Sequence, residues 1–183
     1  MTVHIALFRG INVGGRNILP MKELTSVLES LGFENVRTYI QSGNVVFHST
    51  TSDVKQLTHA VKDAVRESHG LTPEVLILSI DDLRDAICSC PFVDGDPDPK
   101  TLHLFFLDSA PTDPDSVRLD ASRSTSERFQ LMDSVFYLHA PDGIGRSKLA
   151  ATVERALGVT ATARNWRTVT KLLSIAEDLT AGE

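Results

Sequence analysis

Residues 9–17, RGINVGGRN, combine three glycines, two asparagines and two arginines directly after the apolar run VHIALF. Glycine lets a backbone fold tightly, while amide and guanidinium groups supply the donors that an anionic ligand needs. Gly10 and Gly15 have the spacing of a Walker A loop, G-x-x-x-x-G-K-[ST], but Arg16 and Asn17 stand where its lysine and hydroxyl belong. A dinucleotide fingerprint G-x-G-x-x-G is absent too. What remains is a candidate anion-binding loop, set against the plainer reading of a turn with solvated arginines.

Three further segments join turn chemistry to polar side chains. YIQSGNVVF places Gln41, Ser42 and Asn44 around a hairpin, with Arg37 close before it. Taken alone, that is also what an ordinary hairpin contains. DGIGRSKLA puts Arg146, Ser147 and Lys148 at the start of a helix, whose free N–H groups and dipole favour a negative ligand. A serine N-cap flanked by surface cations explains the same pattern. ARNWRTVTKL opens another helix with Asn165 as N-cap and Arg164, Arg167 and Lys171 nearby. Its tryptophan, Trp166, suits stacking on a base or guanidinium, but plugging the space between two domains is the commoner use.

No His-Asp pair, paired carboxylates or metal cluster sits inside these segments. His4, His103 and His139 each fall in a strand candidate, where a satisfied sheet histidine is the usual finding. Cys88 and Cys90 are too few for a structural zinc site and too close for a comfortable disulfide, so reduced thiols are expected. We expect neither a metal nor a cofactor.

The net charge of −6 opposes nonspecific coating of nucleic acid, which draws on phosphate neutralisation. Charge is unevenly placed, however. Ten aspartates lie between Asp81 and Asp120 against Arg84, Lys100 and Arg118, whereas residues 146–171 hold six basic residues against Glu154. A local basic site on an acidic chain selects a discrete anion. No apolar run approaches the ~20 residues of a membrane span. Arg9 interrupts the first apolar stretch before it reaches signal-peptide length, so a cytoplasmic protein without membrane partners is expected.

The elements that must position these groups follow from periodicity. VHIALF reads as a strand; Met21, Leu24, Val27, Leu28 and Leu31 give a helix between Pro20 and Gly32. VRTYI and GNVVFH form a hairpin, a helix capped by Ser52 stops before Gly70, and PEVLILS closes the set. IDDLRDAIC is a short helix with Asp81 and Asp82 at its positive end, and it leads into the Pro/Asp-rich PFVDGDPDPK. The order then recurs: LHLFFLD, the weak helix PDSVRLDA, a hairpin across Asp133 and Ser134, a helix ending at Gly158, a strand over residues 159–163 and an amphipathic helix from Trp166.

The expected fold is α/β of the α+β kind: two tandem ferredoxin-like α/β plait units, a duplicated βαββαβ, plus extra helices. The first unit spans residues 1–80, a helix and linker 81–100, the second unit 101–163 and a C-terminal helix 164–183. Each sheet should then have strand order 4-1-3-2. The alternative is one mixed sheet through both halves.

RGINVGGRN before a Met21-containing helix, YIQSGNVVF, GIGRSKL and ARNWRTVTKL, in this order and over nearly the whole chain, resemble the bacterial proteins grouped as domain of unknown function (DUF) 1697. The resemblance implies a cytoplasmic bacterial protein with a duplicated α/β plait; it brings no established activity, cofactor or catalytic residue to carry over.

The function expected is binding of an anionic small molecule, a nucleotide or a nucleic-acid end. Arg9, Arg16, Arg146, Lys148, Arg164 and Lys171 would hold it, in a cleft shared by residues 9–17 and 146–148. Gly14 and Gly15 would give backbone donors, and Asn12, Asn17, Asn44 and Asn165, with Gln41, Ser42, Ser147 and Trp166, would orient it. The alternatives are an enzyme of group transfer or hydrolysis using the same groups, and a protein-interaction module. An RNA-recognition module is disfavoured, because GNVVFH lacks paired strand aromatics and only 6% of the chain is aromatic.

Overall fold

The computed structural model describes residues 1–182 and has a mixed α+β fold with two four-stranded antiparallel sheets and six α-helices. The single mixed sheet is therefore excluded. By packing, the chain forms two compact units, Met1–Asp85 with the chain from Lys171 onward, and Ala86–Thr170. No helix among the described residues is long and apolar enough to cross a membrane.

The first unit runs β1 (Thr2–Arg9), α1 (Met21–Ser30), β2 (Glu34–Tyr39), β3 (Asn44–Ser49), α2 (Val54–His69) and β4 (Glu74–Ser79). Its sheet has the order β2-β3-β1-β4, and every neighbouring pair is antiparallel. Side chains alternate across a strand, so Ala6 and Phe8 of β1 join Val45, Phe47, Val75 and Ile77 on one face. Leu24 and Leu28 of α1 and Leu57, Val61 and Val65 of α2 complete that core. The alternate residues Ile5 and Leu7 are fully buried as well. Burial of both faces explains why β1 reads as a continuous apolar run rather than an alternating one.

Asp53, not Ser52, caps α2: its Oδ1 accepts from Lys55 N at 3.0 Å and Gln56 N at 3.1 Å. Aspartate and serine are equivalent capping types, so composition alone does not choose between neighbours. Gly70 ends the helix in the left-handed conformation, as the sequence indicates. α3 (Ile80–Cys88) follows β4 directly.

The second unit runs β5 (Leu102–Leu107), α4 (Ser116–Ser122), β6 (Arg128–Met132), β7 (Val135–His139), α5 (Lys148–Leu157) and β8 (Ala161–Asn165), then enters α6 (Trp166–Ala181). Its sheet order, β6-β7-β5-β8, follows the same pattern as the first, and both match the order expected. Phe105 meets Phe136 edge-on at 5.7 Å between ring centroids, and Phe129 stacks on Phe136 at 5.3 Å. Leu119, Leu149, Val153 and Leu157 close that core from the helices.

The Pro/Asp-rich stretch has more to bury than its composition suggests. Phe92 is buried, with the Arg128 guanidinium 5.0 Å from its ring centroid. Tyr137, on the sheet face away from α4 and α5, donates its hydroxyl to Ala86 O at 2.9 Å. Cys88 is exposed and Cys90 buried, and both are free thiols.

Candidate functional site

The segment between β1 and α1 is a miniature hairpin. Asn12 N donates to Asn17 O at 3.0 Å and Arg16 N to Val13 O at 3.1 Å, closing an antiparallel bridge across the two-residue turn Gly14-Gly15. Both glycines have positive φ, +59° and +73°, the requirement of a tight turn matched to strand twist. Asn12 and Asn17 are left-handed too, at +54° and +49°, a conformation asparagine tolerates better than other side chains.

The asparagine side chains brace this loop. Asn12 Nδ2 donates to Leu19 O at 2.8 Å and to Gln41 O at 2.9 Å, while its Oδ1 accepts from Leu19 N at 2.8 Å. Asn17 Nδ2 donates to Gly10 O at 2.8 Å. Buried Ile11 and Leu19 anchor the two ends. Between those anchors, Val13, Gly14, Gly15, Arg16, Asn17 and Ile18 are exposed.

The β2–β3 turn lies against the loop. Besides the Asn12–Gln41 bond, Phe8 N donates to Gly43 O at 2.8 Å. An added Cβ on Gly43 would stand 2.6 Å from Phe8 Cβ and 2.7 Å from Ile11 Cδ1, so glycine is required there by contact as well as by its φ of +73°. Asn44 is fully buried, and its Nδ2 donates to Tyr39 O at 3.1 Å and Ser42 Oγ at 2.9 Å. Ile40 holds φ +50° with its side chain 53% exposed. Among the described residues it is the one positive-φ position that is neither glycine, asparagine nor aspartate.

Arg9, Asn12, Gly14, Gly15, Arg16, Asn17, Gln41, Ser42 and Asn44 are thus brought to one end of the first unit's sheet. Their division of labour differs from the expected one. The amides of Asn12, Asn17 and Asn44 hold backbone and hydroxyl groups in place. Exposed backbone around Gly14-Gly15 and the guanidinium groups face outward. Neither the Arg16 nor the Arg37 side chain has a hydrogen-bond or salt-bridge partner among the described residues.

The electrostatics of this end follow from sequence segregation. Residues 1–22 and 35–52, which contain the hairpin and the turn, hold no carboxylate side chain but carry Arg9, Arg16, Lys22 and Arg37. Two flanking carboxylates already have cations or a histidine: Glu23 meets His69 Nε2 at 2.7 Å, and Glu74 meets Lys62 Nζ at 2.7 Å. Behind the hairpin, Ile11, Asn17, Gly70, Leu71, Thr72 and Pro73 line a cavity of about 130 Å³.

The remaining candidates divide between the units. In the second, Ser147 caps α5 by accepting from Ala150 N at 2.9 Å, and the exposed Arg146 and Lys148 flank it. Asn165 Oδ1 accepts from Thr168 N at 2.9 Å and so caps α6, as expected, with half-buried Trp166 beginning that helix. Arg164 on β8 donates from Nη1 to Ala163 O at 2.8 Å, and burial lowers its pKa to about 10. Lys171 is exposed and falls in the first unit. His4, His103 and His139 do lie on strands, and burial lowers the pKa of each; Arg128 lowers that of His139 further.

Ile40, Val13 and Ile18 are the features that motif reading passed over. The available signal was the presence of isolated β-branched residues inside otherwise polar turns.

A family model described as "Protein of unknown function (DUF1697)" matches residues 1–137. No functionally curated protein matches the chain. Among solved structures, a conserved bacterial protein of Streptococcus pneumoniae, SP0830, is similar over 96% of this chain and 98% of its own, with a TM-score of 0.76 and 23% identity. That likeness is one of fold.

Proposed function

From the premise that the chain belongs to the DUF1697 family, to which no activity is attached, we propose that it is a cytoplasmic binding protein for a phosphorylated ligand. We read its two sheets of matching order as ferredoxin-like units produced by duplication, with the ligand held at the hairpin end of the first. The observation that carries the reading is a glycine hairpin braced by its own asparagines, presenting Arg16 from segments free of carboxylates. Such a loop is pre-ordered, so binding spends little on ordering the backbone, and its charge selects an anion. In the second unit, the exposed Arg146 and Lys148 beside the α5 N-terminus offer a further place for negative charge.

The test is calorimetry with nucleotides, sugar phosphates and inorganic phosphate at two salt concentrations. Arg16→Ala is expected to weaken the best phosphorylated ligand by about 1.5 to 3 kcal/mol, the range for a charge-assisted bond, with an unchanged circular dichroism spectrum. Salt-insensitive binding, or an Arg16→Ala variant that binds as the parent does, refutes the reading. Turnover of a panel member, lost with the same substitution, makes the site an active site instead.

A further inference from the structure

We propose that the natural ligand of this end of the first unit is single-stranded nucleic acid, contacted through its phosphates and the apolar faces of its bases; this rests on the phosphate-binding reading above. The observation is a cluster of exposed aliphatic side chains beside the cations. Val13 is 63% exposed, Ile18 67% and Ile40 53%. Each is Asn12's chain neighbour or the neighbour of a residue its amide grips: Val13 follows Asn12, Ile18 precedes Leu19, and Ile40 precedes Gln41. One side-chain amide therefore gathers three solvent-facing β-branched residues at the end of the sheet.

Backbone strain sharpens the inference. A β-branched residue at positive φ is a steric outlier, and asparagine or glycine would occupy the position more easily. Ile40 keeps an unfavourable backbone and an exposed apolar side chain together, with neither offset by burial. Strain held without a packing return points to contact with something outside the chain.

The chemistry of the occupant follows from the mixture. A free phosphate or sugar phosphate would use Arg16 and Arg37 but leave three aliphatic side chains in water. A duplex buries its base faces in the stack, whereas a single strand displays phosphates and base faces side by side. An anionic bilayer also offers both kinds of contact, but as a broad plane. Glu29 and Glu34 lie between the two carboxylate-free segments in a chain of net charge −6, so a broad anionic plane meets repulsion that a narrow strand avoids. Half-exposed Tyr39, next to Ile40, adds an aromatic face for one base. This mode uses turns at the end of a sheet, not the strand aromatics of an RNA-recognition module.

Fluorescence anisotropy of labelled twelve-nucleotide single strands, of DNA and of RNA, tests the proposal on the full chain. A twelve-base-pair duplex, vesicles with anionic phospholipid and calorimetry with nucleoside triphosphate form the other arms. Single strands are expected to bind at least about fivefold more tightly than duplex or triphosphate, because a base stacked on an aromatic face such as that of Tyr39 adds about a fivefold factor or more. Two phosphate contacts predict a slope of log affinity against log salt of about −1.4. Val13→Ser and Ile18→Ser should each weaken strand binding several-fold while leaving triphosphate binding unchanged. Ile40→Gly should weaken strand binding yet raise Tm by about 2–4 °C, since it removes backbone strain.

Strand binding no tighter than triphosphate, aliphatic variants that bind as the parent does, or preference for vesicles or duplex each overturn the single-strand proposal. If triphosphate still binds and loses affinity on Arg16→Ala, the phosphate-binding reading survives that result. If no arm binds, both fall.

Discussion

Replacing Asn12 by alanine removes three hydrogen bonds at once, those with Leu19 O, Leu19 N and Gln41 O. Leu19 is fully buried, so its N–H and C=O lose partners where water reaches poorly, at about 1 kcal/mol each. Gln41 lies in an exposed turn and its carbonyl rehydrates, so its loss costs little. Alanine also inherits a φ of +54° that asparagine tolerates better, at about 1 kcal/mol. The sum for Asn12→Ala is about 3 kcal/mol, a large part of the roughly 5 to 15 kcal/mol that holds a typical domain. Asn12→Gly breaks the same bonds but relieves the backbone, and should cost about 1 kcal/mol less. Urea unfolding of both variants gives the totals, and hydrogen exchange at the Leu19 amide reports the bond directly. A loss below about 0.5 kcal/mol in Asn12→Ala refutes the view that this side chain braces the hairpin, and equal stability of the two variants refutes the cost assigned to its backbone.

Gly43→Ala should cost about 3 kcal/mol or prevent folding, because Phe8 Cβ is fixed to its strand and cannot retreat from a methyl at 2.6 Å; Gly15→Ala has nothing within 4 Å and should cost only the backbone term, about 1 kcal/mol. Chemical denaturation of the pair separates contact from conformation. Tyr137 predicts an alkaline limit on stability. Burial, reinforced by Cys90 and Asp133, raises its pKa to about 12 from the ordinary 10. The unfolded chain therefore loses this proton first, and the contribution present below pH 10 disappears between pH 10 and 12. Tyr137→Phe should flatten that part of a stability–pH profile, while losing about 1 kcal/mol at pH 7 with the bond to Ala86 O.

Element order was legible because it rests on local rules. Met21, Leu24, Val27 and Leu28 repeat at helical spacing and are the residues α1 buries. Gly70 and Gly158 end α2 and α5 with left-handed φ, as glycine after an amphipathic run indicates. The strand order of each half followed from β-α-β-β-α-β succession. The site was legible only as a set of donor types. Sequence shows that Asn12, Asn17 and Asn44 carry amides; it does not show which carbonyls accept from them, since Gln41 and Leu19 reach Asn12 only in the folded chain. Ile40 was invisible for a related reason. Its residue type argues for an extended backbone, and the hairpin closed by Gly43 imposes a left-handed one.

The first unit is interrupted in the gene's reading direction. It takes residues from both ends of the chain, and the second unit lies uninterrupted between them. Leu172, Ala176 and Leu179, buried on the final helix, and Glu177, 3.8 Å from Arg84, are translated only after every residue of the second unit has been made. During synthesis, then, the half that begins first is completed last. A chain cut short before Lys171 carries the whole hairpin loop and the whole second unit, yet lacks the closing helical turns of the unit on which that loop stands.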